Sequence, residues 1–98
     1  MRRADAIALL NEHAAELRSA GVKHVSLFGS VARDEAGNES DVDLVVETIK
    51  PLTLFTIGPL SDLFAALLGR PVDLIDKTGF DRAKRLQRET RGDLIHVF

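Results

Sequence analysis

Gly29-Ser30-Val31-Ala32-Arg33, followed by Ser40-Asp41-Val42-Asp43-Leu44-Val45-Val46, is the stretch on which the fold of this chain turns. In a strand, successive side chains point to opposite faces, so residues two apart share one. Asp41 and Asp43 therefore stand side by side on one face, while Val42 and Leu44 enter the core. The β-branched residues Val42, Val45 and Val46 support the strand. Two carboxylates so placed repel each other unless a positive charge lies between them. Mg2+ suits that gap, because it takes hard oxygen ligands, commonly one or two carboxylates together with substrate phosphates. Upstream, Gly29-Ser30 separates a short apolar strand (Val25, Leu27, Phe28) from a helix or turn over 31–36, itself closed by Gly37-Asn38. Glycine lets the backbone come close to a ligand, and helix-terminal N–H groups attract phosphate. Ser30 adds a hydroxyl to that turn and Arg33 a guanidinium.

Working outward, Pro71-Val72-Asp73-Leu74-Ile75 reads as another strand. Apolar residues flank Asp73 on both sides, which predicts a place in the sheet interior, where an unpaired carboxylate is costly. Set beside the strand of Asp41 and Asp43, it would complete a cluster of three carboxylates. Ile7, Leu10, Ala14 and Leu17 follow the spacing of one helix face, and Gly21 supplies a left-handed stop. Leu52 to Leu68 is helical in pattern but is interrupted by Gly58-Pro59, which predicts a short first turn, then a helix capped by Ser61 and stopped by Gly69. Thr78 or Asp81 is expected to cap a basic helix running to about Thr90, and 94–98 to add an edge strand. The order α-β-α-β-α-β-α-β predicts an α/β (α+β) fold, a small mixed sheet with helices packed on one face.

The length of 98 residues predicts a single domain over 1–98. No apolar run approaches the roughly 18 residues that a membrane span needs, and the N-terminus does not read as a signal peptide. The absence of cysteine excludes disulfides and thiolate metal sites and fits a cytoplasmic location. Net charge is −2, which argues against a dedicated nucleic-acid binder, but the charge is segregated. Residues 34–47 carry six acids and no base, whereas 77–91 carry six bases against two acids. Such a pairing can hold a cation and a phosphorylated substrate, or can be two solvated faces of opposite sign. His13, His24 and His96 are scattered and share no metal-ligand spacing. The apolar stretch Leu52, Leu54, Phe55, Ile57 and Leu60 is a candidate partner surface, with about half of it expected in the core.

In combination, Gly29-Ser30-Val31-Ala32-Arg33, Ser40-Asp41-Val42-Asp43-Leu44 and Val72-Asp73-Leu74 resemble the minimal nucleotidyltransferases of the DNA polymerase β superfamily. Their pattern is G-S-x-A-R-G, a short spacer, S-D-[IV]-D-L and a later V-D-L. The resemblance covers roughly residues 5–98, and it implies a polymerase β-like nucleotidyltransferase core. It implies further that Asp41, Asp43 and Asp73 ligate two Mg2+ ions, with Asp73 helping to deprotonate the acceptor hydroxyl. Gly29 and Ser30 would hold the β- and γ-phosphates of ATP, and Arg33 would contact phosphate or brace the loop. Relatives of this type act as antitoxins that move AMP from ATP to a tyrosine of a HEPN-type toxin. Transfer to RNA, supported here by the basic 77–91 segment, and masking of a toxin by binding alone are the alternatives. One departure stands out: where the pattern has its last glycine, this chain has Asp34.

Overall fold

The computed structural model describes residues 1–34, 41–87 and 94–98, with the side chains of 83–87 left aside. The chain begins with α1 (Arg3–Glu12) and α2 (Ala14–Ser19). The periodicity predicts one helix here, and the structure interrupts it at His13, whose φ of −102° and ψ of 14° leave the regular helical well. The apolar stripe survives the break, because His13 N–H still donates to Leu9 O and Leu17 N–H to His13 O. Leu10 and Leu17 consequently point the same way, and both are fully buried.

Strand β1 (Val22–Phe28) leads into the single turn α3 (Gly29–Ala32), and β2 (Val42–Thr48) carries Asp43, with Asp41 just ahead of it. Helix α4 (Ile57–Leu68), β3 (Val72–Asp76), α5 (Lys77–Gln87) and the short β4 (Ile95–His96) complete the order. The four strands form one sheet in the order β3-β2-β1-β4. β1 runs antiparallel to β2 and to β4, while β2 and β3 are parallel. A parallel pair needs a long crossover, and α4 supplies it.

Alternation decides which side of the sheet is core. Val25 and Leu27 of β1 oppose Val46 and Leu44 of β2, and Val42 and Leu74 join them. Leu10, Leu17, Leu60, Phe64 and Leu68 from α1, α2 and α4 close over that face. The helical layer expected on one face is therefore made by these three helices. Helix α5 adds a partial cover to the other face, where Phe80 meets Phe28 edge-on with ring centroids 5.2 Å apart. Phe64 is the largest side chain with no exposure. Phe64→Ala is expected to cost about 3–5 kcal/mol, a large share of the roughly 5–15 kcal/mol that holds a domain of this kind. Urea denaturation would measure it as a fall in midpoint.

Two helix starts differ from the sequence reading. α4 begins at Ile57, so Gly58 and Pro59 sit in its first turn and Ser61 lies inside the helix, with its hydroxyl 3.4 Å from Val72 O. Proline is tolerated there because N–H groups of the first turn have no partner within the helix. Gly69 ends α4 at φ 67°, ψ 24°, the left-handed stop that the sequence predicts. α5 starts at Lys77, directly on the end of β3, and so contains both Thr78 and Asp81. Asp81 is engaged by Lys77 Nζ at 2.6 Å, an i,i+4 pair along the helix instead of a cap. Among the described residues no helix is long and apolar enough to cross a membrane.

Candidate active site

The face opposite the core gathers the candidate residues. Phe28 of β1 is the register partner of Asp43, and Asp43 is in turn the parallel partner of Asp73. Adjacent strands lie about 4.8 Å apart, so Asp43 and Asp73 are neighbours at one level of the sheet. Val42 and Leu44 have no exposure, which directs Asp43 away from the core. Asp43 is half-buried; Asp41, just ahead of the strand, and Asp73 are exposed. The exposure of Asp73 corrects the expectation of an interior position. β3 is an edge strand, and its apolar neighbours Val72 and Leu74 face the helical layer, so they imply burial on one side only.

Gly29 presses directly on this group. Its φ is +71°, a left-handed conformation, and a Cβ added to it would run into Asp43 Oδ2 and stand 3.2 Å from Asp43 Cγ. Two independent demands, the backbone well and the space, both require glycine. Burial pushes the Asp43 carboxyl above its ordinary value, the Asp73 and Asp41 charges push it the same way, and Arg33 opposes them. Ser30, half-buried, follows Gly29, and Arg33 ends the one-turn helix with its N–H on Gly29 O at 3.1 Å. The structure thus groups Gly29, Asp43 and Asp73 closely, with Asp41 and Arg33 near enough to act on Asp43 electrostatically.

Asp34 takes the left-handed well at φ 60°. That explains a glycine at this point in the resembling pattern, since aspartate is one of the few other residues that enter the well readily. Its carboxylate does not stand loose beside the turn: Oδ1 accepts a hydrogen bond from the Arg3 backbone N–H at 3.0 Å.

Three carboxylates offer the hard oxygen donors that a divalent cation such as Mg2+ takes. Among the described residues no three acidic or histidine side chains already stand at ligand spacing. Asp41 and Asp73 are exposed and free of core packing, so rotation about their side-chain bonds is open to them. The donor set fits the ion in kind.

Sequence reasoning missed a second feature of this face. His24 and His96 stack at 5.7 Å with a 49° tilt, and with Ser26, Val45, Glu47 and Lys77 they line a cavity of about 150 Å3. His96 comes from the far end of the chain, so only the β1–β4 pairing reveals the contact; the spacing of the histidines carries no such signal. Of the candidate partner surface, Leu60 is buried and Leu52 and Ile57 pack on the core, whereas Leu54 and Phe55 are 93% and 90% exposed. The basic residues Lys84, Arg85, Arg88 and Arg91 lie outside the described side chains, as do Ser40 and the Gly37-Asn38 turn.

The mixed sheet thus sets Asp43 and Asp73 from two parallel strands beside the Gly29 turn, and comparison with known proteins places the chain in the class of nucleotidyltransferases. The nucleotidyltransferase domain model matches residues 10–95, and the chain belongs to that family. The protein adenylyltransferase MntA of Thermococcus cleftensis is 38% identical over 84 residues, which span 83% of this chain and 85% of that one. A presumed minimal nucleotidyltransferase of known structure superposes with a TM-score of 0.68 at 29% identity, covering 95% of this chain and 97% of that one. A chain from the complex of a tri-AMPylated Shewanella oneidensis HEPN toxin with its MNT antitoxin shares the fold, with a TM-score of 0.64 at 20% identity, covering 95% and 71% of the two chains.

Proposed function

We propose that this nucleotidyltransferase moves AMP from ATP to a hydroxyl of a protein acceptor, a tyrosine of a HEPN-type toxin, and so serves as the antitoxin of a pair. The observation that carries the reading is the contact of Gly29 with Asp43, which is itself paired in register with Asp73. Phosphate-holding turn and carboxylates are thereby joined in one unit. Its relatives' names support the choice of AMP and of a protein acceptor. The Thermococcus cleftensis protein is a protein adenylyltransferase, and the Shewanella oneidensis toxin carries AMP groups.

In this reading the triphosphate lies over the Gly29-Ser30 turn, whose backbone N–H groups and Ser30 hydroxyl hold the β- and γ-phosphates. Arg33 supplies positive charge to the same end. Asp41, Asp43 and Asp73 would hold two Mg2+ ions, which supply Lewis acidity to the acceptor oxygen and neutralise charge on the leaving pyrophosphate. Asp73, on the exposed rim, takes the proton from the acceptor hydroxyl. The oxygen then bonds to the α-phosphorus as the bond from the α-phosphorus to the β-phosphate bridging oxygen breaks and pyrophosphate leaves. Chemistry of this kind is mostly positioning and charge stabilisation, which a small site can provide. Leu54 and Phe55, the most exposed large apolar side chains among the described residues, are the contact we assign to the protein partner.

The test is direct. The purified protein is incubated with Mg2+ and ATP labelled at the α-phosphate, together with the product of the adjacent gene or with total RNA. Label on the neighbouring protein is expected. Label on RNA would replace the protein acceptor by a nucleic acid, and inhibition of an unlabelled partner would reduce the protein to a binding module.

A further inference from the structure

We infer that Arg3 and Asp34 form a two-point brace that fixes the phosphate turn, making Arg3 a positioning residue for nucleotide binding. The inference rests on the proposed reading of the Gly29-Ser30 turn and extends it to residues at the start of the chain. α3 is four residues long, with Arg33 N–H to Gly29 O at 3.1 Å and Asp34 N–H to Val31 O at 3.0 Å as its closing bonds. A single helical turn is not stable by itself, because nucleation fixes several dihedrals for one hydrogen bond. Its direction must come from outside. Val31 and Ala32 anchor it by burial, at 0% and 5% exposure.

The brace supplies the remaining anchor at its end. The Arg3 guanidinium donates from Nη1 to Ala32 O at 3.2 Å, and the Arg3 backbone N–H donates to Asp34 Oδ1 at 3.0 Å. Ala32 O would otherwise be an orphan carbonyl at a helix end, and Arg3 N–H an orphan donor in the first turn of α1. Arg3 thus satisfies the first and Asp34 the second, and α1 has no side-chain cap of its own at Arg2. Negative charge at the N-terminus of α1 is favourable as well. Asp34 acts as a distant cap for α1 while it holds the left-handed conformation that the turn requires.

The alternative role for Asp34 is an electrostatic burden on the triphosphate, and the two roles predict opposite signs. If Asp34 braces, Asp34→Gly weakens ATP binding; if it only repels phosphate, Asp34→Gly tightens it. Calorimetric titration with ATP in excess MgCl2, at a temperature where every variant is folded, reads the difference. Asp34→Gly and Arg3→Ala are each expected to raise Kd by about three- to tenfold, the range for one ordinary hydrogen bond. Asp34→Asn keeps the acceptor oxygen and tolerates the left-handed well, so it is expected to restore Kd to near the wild-type value. Leu68→Ala, in the core at the end of α4, controls for lost stability and is expected to leave Kd unchanged.

An unchanged or lowered Kd in Asp34→Gly and Arg3→Ala would overturn the brace, as would an equal rise in Leu68→Ala. Wild-type protein that binds no ATP would overturn the brace and the reading of the turn together. Binding in the wild type with unaltered Kd in the variants would remove the brace alone.

Discussion

Asp43→Asn is expected to abolish nucleotidyl transfer while leaving the protein at least as stable as the wild type. The loss follows from position: Asp43 is the carboxylate flanked by Asp73 in register and by Gly29 in contact. Removing one preorganised electrostatic group from such a site costs about 100- to 1,000-fold in rate or more. The unchanged or improved stability follows from charge. Burial, Asp73 and Asp41 all raise the Asp43 pKa in the folded protein, so the folded state holds its proton more tightly than the unfolded state. The unfolded state therefore binds fewer protons between the two pKa values, and stability falls as pH rises through that window. The contribution is fully present below the unfolded value and is lost above the folded one. Melting in EDTA should show this slope in the wild type and not in Asp43→Asn, which is neutral throughout. At neutral pH, added Mg2+ is expected to raise Tm in the wild type and to have a smaller effect in the variant. Full activity in Asp43→Asn, or a large fall in its Tm, would remove Asp43 from the site.

Gly29→Ala is expected to lose both activity and stability, and a second glycine separates the two losses. Alanine in a left-handed conformation costs about 1–2 kcal/mol, and each kcal/mol lowers Tm by roughly 4–8 °C in a domain of this size. Gly69 has nearly the same φ, +67° against +71°, but nothing lies within 4 Å of a Cβ placed there. Gly69→Ala should therefore melt earlier by a similar amount and retain full transfer. Gly29→Ala should in addition displace the Asp43 carboxylate and fall toward the activity of Asp43→Asn. Equal activity in the two alanine variants would mean that the contact of Gly29 with Asp43 is irrelevant to catalysis.

Much of this site could be read from local sequence because local rules govern it. The alternation of Asp41 and Asp43 with Val42 and Leu44 assigns faces without knowledge of the partner strands. A glycine between strand and turn implies a special backbone well. Long-range pairing has no such local signature. That β2 lies between β1 and β3, or that β4 returns to β1 and brings His96 to His24, depends on contacts between distant segments. The exposure of Asp73 has no local signature for this reason: apolar neighbours show that one face of β3 is covered, but only the strand order shows that β3 is an edge strand. Pro59 misled in the opposite way, since a helix breaker in mid-helix is harmless in a first turn. The partner of Asp34 has no local signature either, because it is the backbone of Arg3 and backbone carries no sequence signal.

The alternation of Val42, Asp43 and Leu44 at the start of β2 ties the proposed chemistry to folding through the reading frame of a single strand. Deleting one residue within it would carry an aspartate into the oil of the interior and expose a leucine to water. Deleting two would restore the phase, though at the cost of a shorter strand. Evolutionary drift in this segment must therefore proceed by substitution or in steps of two, since a single-residue insertion or deletion would cost the protein its chemistry and its core together.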